Sequence, residues 1–155
     1  MYEAFGDRLR PAPPLAALEK SQRLGNKGGA GFYKYENGKE KEVDASVYGE
    51  LGLRPGGTLS EQDIQRRAVF VMVNEAARIL EDGIVAGPGD VDLGMIMGTG
   101  FPPFRGGLLR YADTVGLREI VSWLERYQQQ LGDRFAPAPL LKRKADAGAS
   151  FYGAR

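Results

Sequence analysis

Apolar side chains in SEQDIQRRAVFVMVNEAARILED fall at Ile64, Ala68, Val69, Met72, Val73, Ala76, Ala77 and Leu80, the three-and-four spacing of a helix face. Phe70, Val71 and Ile79 widen that face beyond one stripe, so the pattern predicts a central helix buried on more than one side. Ser60, with Asp63 three residues on, is close to a capping box at its start, and Gly83 is a natural stop. Asp63 also stands one turn before Arg66 and Arg67, placed for an acid-first ion pair.

The pattern stays helical downstream. Pro88 suits the first turn of a second helix, with Asp90 and Asp92 near its positive end, running through Leu93, Met95, Ile96 and Met97. After the loop GTGFPPFRGG, Leu108 to Val115 reads as a third helix. Leu117 to Leu131 reads as a fourth, with Ile120, Val121, Leu124, Tyr127 and Leu131 at near-helical spacing. Leu140 to Ala147 completes the set. Residues 60–155 are thus expected to form an all-α domain of about five helices with short connections.

Upstream the signals are shorter. Pro13 to Leu24 suggests a helix stopped by Gly25, and Phe32-Tyr33-Lys34-Tyr35 before Asn37-Gly38 suggests a hairpin with a tight turn. Asp44 is placed to cap a short helix reaching Leu51. Residues 1–51 therefore read as a helix-and-hairpin appendage, and 52–59, GLRPGGTL, as a linker.

FGDRLRPAPPL, from Phe5, recurs as LGDRFAPAPLL, from Leu131. Gly6, Asp7, Arg8, Pro11, Ala12, Pro13 and Leu15 answer to Gly132, Asp133, Arg134, Pro137, Ala138, Pro139 and Leu141, an offset of 126 residues. Each copy leads into an amphipathic stretch and then an aromatic pair, Phe32-Tyr33 or Phe151-Tyr152. A repeat of that period implies one complete unit, about Ser60 to Gly153, preceded by the tail of another. The expectation is a piece of a longer polypeptide.

Composition narrows the chemistry. The chain has 155 residues, no Cys and no His, which removes disulfides, thiolate and imidazole metal sites, and nucleophile–histidine pairs. Lys plus Arg total 21 against 20 Asp plus Glu, too even for a dedicated nucleic-acid binder. The longest apolar run, Ala68 to Val73, is far short of a bilayer span, and the first residues lack a signal-peptide core. A cytoplasmic location is the default expectation.

The most distinctive string is Gly98 to Gly107. One reading sets Phe101, Pro102, Pro103, Phe104 and Arg105 beside a ligand, with Arg105 facing a phosphate. The other makes the string a rigid connector whose glycines take positive φ and whose phenylalanines plug the core. It is no dinucleotide fingerprint, because Pro103 stands where a third glycine is needed and a helix precedes it. Asn74, inside the apolar run of the long helix, needs partners for its amide; one reading has it orient a reacting group, the other, which is the expectation, has it tie two helices together. Glu75 and Arg78 read as a surface pair, and Glu81-Asp82 and Asp90-Asp92 as caps or solvated charge rather than cation sites.

MVNEAARILEDGIV, DVDLGMIMGTGFPPFRGGLLRYADTVGL and GDRFAPAPLL closely resemble the second C-terminal helical domain of multifunctional 3-hydroxyacyl-CoA dehydrogenases of fatty-acid β-oxidation. AFGDRLRPAPPL and GNKGGAGFYKYENGKEKEVDASVY resemble the tail of the first such domain and the segment that joins the two. The resemblance implies an NAD-dependent parent enzyme whose Rossmann domain carries the hydride-transfer residues, and no cofactor in this region itself. Family members use an Asn near the start of the long helix in the first C-terminal domain. Arg66 and Arg67 stand at the matching place here, so that role does not carry over.

What the resemblance implies is a supporting domain, inactive alone, that packs against a sister C-terminal domain or a homodimer mate and meets acyl-CoA only through the parent enzyme. Phe101, Pro102, Pro103, Phe104, Arg105 and Asn74 are the residues expected at such a packing face or near the acyl-CoA. The long helix is expected to own any uncovered apolar face. The competing expectation is a free-standing helical interaction module without enzymatic ancestry.

Overall fold

The computed structural model describes residues 2–57 and 59–153, without the side chains of Tyr2 and Asp7. Thr58, within the expected linker, lies outside the described residues. Contacts divide the chain into two compact units, Met1–Leu59 and Ser60–Arg155.

The first unit contains α1 (Tyr2–Phe5), α2 (Pro13–Lys20), β1 (Tyr33–Glu36), β2 (Lys39–Val43) and α3 (Ser46–Glu50). The two strands pair antiparallel around Asn37-Gly38, both at positive φ (51° and 74°), as a two-residue primed turn requires. α2 stops at Lys20, a turn earlier than the sequence suggests, because Gln22 enters the left-handed region at φ 58°. The amide of Arg23 then closes back on Leu18 O at 2.9 Å. The side chain of Arg23 donates to Asp44 Oδ2 (2.8 Å), Glu50 Oε1 (2.8 Å), Gly31 O (3.0 Å) and Ser46 Oγ. One guanidinium thus ties α2, the loop, and the start and end of α3.

The second unit is helical throughout its described residues: α4 (Glu61–Glu81), α5 (Pro88–Thr99), α6 (Leu108–Val115), α7 (Leu117–Leu131) and α8 (Pro139–Asp146). Ser60 caps α4 by accepting from Asp63 N at 3.1 Å. At the other end Gly83 N and Ile84 N donate to Leu80 O (3.2 Å) and Ile79 O (3.1 Å), a Schellman closure around the left-handed Gly83. α4 contributes Phe70, Val73, Ala76 and Ala77 to the core, α6 Leu108, Leu109 and Ala112, and α7 Leu117, Ile120, Val121, Leu124 and Tyr127.

Several apolar positions of the helical patterns lie outside the core. Ile64 is 55% exposed and Ala68 is exposed as well, because the first turns of α4 run past the edge of the core. Leu131, the last residue of α7, is also exposed. On α5, Leu93 and Met97 face outward while Val91 faces in. The sequence repeat is also a repeat of conformation. Gly6 and Gly132 have positive φ, each leads into a 3-10 turn, and Ala12 (φ −64°, ψ 135°) and Ala138 (φ −61°, ψ 140°) precede helices beginning at Pro13 and Pro139.

Candidate functional site

The distinctive loop is fixed at both ends by backbone. α5 closes at Gly100, whose φ of 73° is left-handed, with its amide on Ile96 O at 3.2 Å. Pro103–Arg105 form a 3-10 turn in which Arg105 N reaches Pro102 O (3.0 Å) and Gly106 N reaches Pro103 O (2.9 Å). Phe101 is half-buried and meets Tyr111 edge-on, with ring centroids 6.3 Å apart. Phe104 does not plug the core. It is 83% exposed, on a turn restrained by Pro102, Pro103 and the two backbone hydrogen bonds. The Arg105 guanidinium lies 5.7 Å from the centroid of Phe104 and 5.6 Å from that of Tyr111. Pro102 and Pro103 are exposed.

Asn74 belongs to a different junction. Its Nδ2 donates to Ala136 O at 2.8 Å and its Oδ1 accepts from Ala138 N at 2.7 Å, bracing the turn between α7 and α8 against α4. Arg78, whose Nε lies 3.4 Å from Glu75 Oε1, also donates to Ala136 O at 2.8 Å. Glu81 accepts from Leu140 N (3.1 Å) and Arg143 Nη2 (2.9 Å), so it caps α8 from the end of α4 while staying exposed. Asn74 is 2% exposed and both amide atoms are committed to backbone.

Sequence reasoning missed the residue that anchors the loop. Asp92 is buried, not solvated. Its Oδ1 accepts from Leu109 N at 2.6 Å, and its Oδ2 from Arg110 N at 3.2 Å and from the Tyr152 hydroxyl at 2.6 Å. A signal was available: Gly107 at the N-cap of α6 has no side chain to satisfy the first amides, so an acceptor had to come from elsewhere. Gly107 is also obligatory by space, since a Cβ there would fall on the Cβ and Cγ of Asp92. Burial, and then the Asp92 hydrogen bond, push the Tyr152 hydroxyl well above the ordinary phenol range. Asp90 accepts from Ala86 N (3.1 Å) and Gly87 N (3.2 Å), a cap as expected.

The family described as "3-hydroxyacyl-CoA dehydrogenase, C-terminal domain" matches residues 64–151, more than half of the chain, including the loop, Asn74 and Asp92. The chain belongs to this family. Relatives named fatty acid oxidation complex subunit alpha carry the same region. That of Shewanella loihica is 47% identical over 153 residues, which cover 98% of this chain and 22% of the relative. That of Vibrio vulnificus is 47% identical over 148 residues, covering 96% and 21%. The chain thus spans about a fifth of the length of the curated relatives it matches. In fold it is similar to the dehydrogenase part of multifunctional enzyme 1 from C. elegans, with a TM-score of 0.62, 23% identity, and coverage of 92% of this chain and 34% of that one. Among the described residues no helix is long and apolar enough to cross a membrane.

Proposed function

We propose that this chain acts as a supporting helical domain of an NAD-dependent 3-hydroxyacyl-CoA dehydrogenase of fatty-acid oxidation, and that it works by pairing with a sister C-terminal domain through the Phe101–Arg105 loop and the adjacent face of α5. Hydride chemistry, NAD and acyl-CoA belong to the parent enzyme in this reading. The carrying observation is Phe104, 83% exposed on a braced loop, together with Met97 at 78% and Leu93 at 63%. An outward aromatic whose backbone is already ordered loses little entropy on binding, the property of an interface anchor. On α4 the exposed large apolar residue is Ile64, so α5 and the loop, not the long helix, present the apolar face.

The two copies of the repeat differ in packing. Leu141 is fully buried where α8 meets α4 and α7, whereas its counterpart Leu15 is 54% exposed. The first copy therefore displays a surface of the kind that α4 covers in the complete one. Family membership also tells against a module without enzymatic ancestry.

For the 155-residue chain studied by itself, a second copy is expected to take the sister domain's place, and light scattering at tens of micromolar is expected to report a dimer. Phe104→Asp, which leaves the core untouched, is expected to return the 16.9 kDa monomer. A monomeric parent, or a dimer indifferent to Phe104→Asp, counts against the pairing face.

A further inference from the structure

After α8 the chain turns at Gly148 (φ 64°) and runs as a short strap, Ser150–Gly153, back along the second unit. Asp113, on α6, accepts from Phe151 N at 2.8 Å and Tyr152 N at 3.2 Å. Lys144 donates to Ser150 O at 2.9 Å and lies 5.6 Å from the Phe151 ring, which is buried. The Tyr152 ring lies beneath the guanidinium of Arg110 at 3.7 Å, and its hydroxyl reaches Asp92 on α5. The same carboxylate holds the amides of Leu109 and Arg110, the first turn of α6 and the exit of the Phe101–Arg105 loop.

We infer that the C-terminal strap is a positioning device for the loop: Tyr152 fixes the Asp92 carboxylate, Asp92 fixes the start of α6, and the direction in which Phe104 and Arg105 project follows from both. The connection is short and has little slack. Asp92 is confined between the Tyr152 hydroxyl and the backbone of Gly107, where even a methyl group has no room. Its carboxylate is the side-chain acceptor serving the first amides of α6, because the N-cap residue is a glycine. A rotation of Asp92 frees both amides as well as the Tyr152 hydroxyl, and a buried donor without an acceptor is costly. Tyr111, which carries the edge contact to Phe101 and lies beside Arg105, is the next residue of that same turn. The strap thus acts on the loop through Asp92, 60 residues from Tyr152 in sequence, whatever surface the loop meets.

Amide hydrogen exchange on the full chain tests this. Tyr152→Phe removes one oxygen and keeps the ring under Arg110. Protection at Leu109, Arg110 and Tyr111 is expected to fall about tenfold, as for a lost buried hydrogen bond to a charged group, while Ile120 and Leu124 in α7 keep theirs. The ring resonances of Phe101 are expected to move, and those of Phe70 and Phe135 to stay. Asp113→Asn, which loosens the strap without touching Asp92, is expected to reproduce that pattern. Uniform loss across α4, α7 and α8 would mean plain destabilisation and overturn the inference. So would unchanged protection at Leu109 and Arg110 in either variant.

Discussion

At the scale of single residues, the polar groups that matter most in the second unit are those that satisfy backbone. Asn74 is the clearest. Its amide satisfies a carbonyl and an N–H two residues apart in the segment between α7 and α8. Asn74→Ala leaves Ala138 N without an acceptor and Ala136 O with Arg78 alone. A loss of about 2–3 kcal/mol is expected in denaturant midpoints at unchanged slope. Arg105→Ala, at an exposed position, is expected to stay within about 0.5 kcal/mol of the parent. If Arg105→Ala costs as much as Asn74→Ala, the division between bracing residues and displayed residues is wrong. The need for a partner at Asn74 was legible in sequence, because an amide amid Val73, Ala76 and Ala77 has nowhere polar to go. Its partner was not, since Ala136 and Ala138 offer only backbone. Asp92 was misread for the same reason: its role rests on two amides and on a hydroxyl 60 residues away.

At the scale of elements, caps and stops follow local chemistry and were legible. Ser60, Gly83, Asp90 and Asn37-Gly38 act where their side chains or φ angles say they should. α2 is the exception, because its last expected turn is given up to a long-range cluster. That cluster carries a pH dependence. The hydrogen bond from Arg23, then those from Ser46, hold the Asp44 carboxyl at about 2, below its ordinary 3.8. A carboxyl depressed in the folded state favours folding above its unfolded value, and the contribution disappears as pH falls through the folded one. The first unit is therefore expected to loosen between about pH 4 and pH 2. Hairpin amides from Tyr33 to Val43, followed by NMR, report the transition, and Asp44→Asn is expected to flatten it. An acid profile identical in parent and variant would remove Arg23–Asp44 as the clasp.

At the scale of the whole molecule, the helical class and the five-helix second unit follow from periodicity, and the repeat in sequence is matched by similar backbone angles at Ala12 and Ala138. The location of the uncovered apolar face was not legible. Periodicity marks which residues share a side of a helix but not whether that side meets a neighbour. Ile64 and Phe70 look alike in the pattern and differ in burial because only one of them lies where α4 meets other helices. The supporting role proposed here depends on the face that is left, α5 and the loop. A dilution series of amide spectra, from hundreds of micromolar to a few, locates it most directly. Concentration-dependent shifts are expected between Leu93 and Arg105, and they should vanish in Phe104→Asp. Shifts confined to α7 and α8, or none at any concentration, would contradict a pairing face built on Phe104.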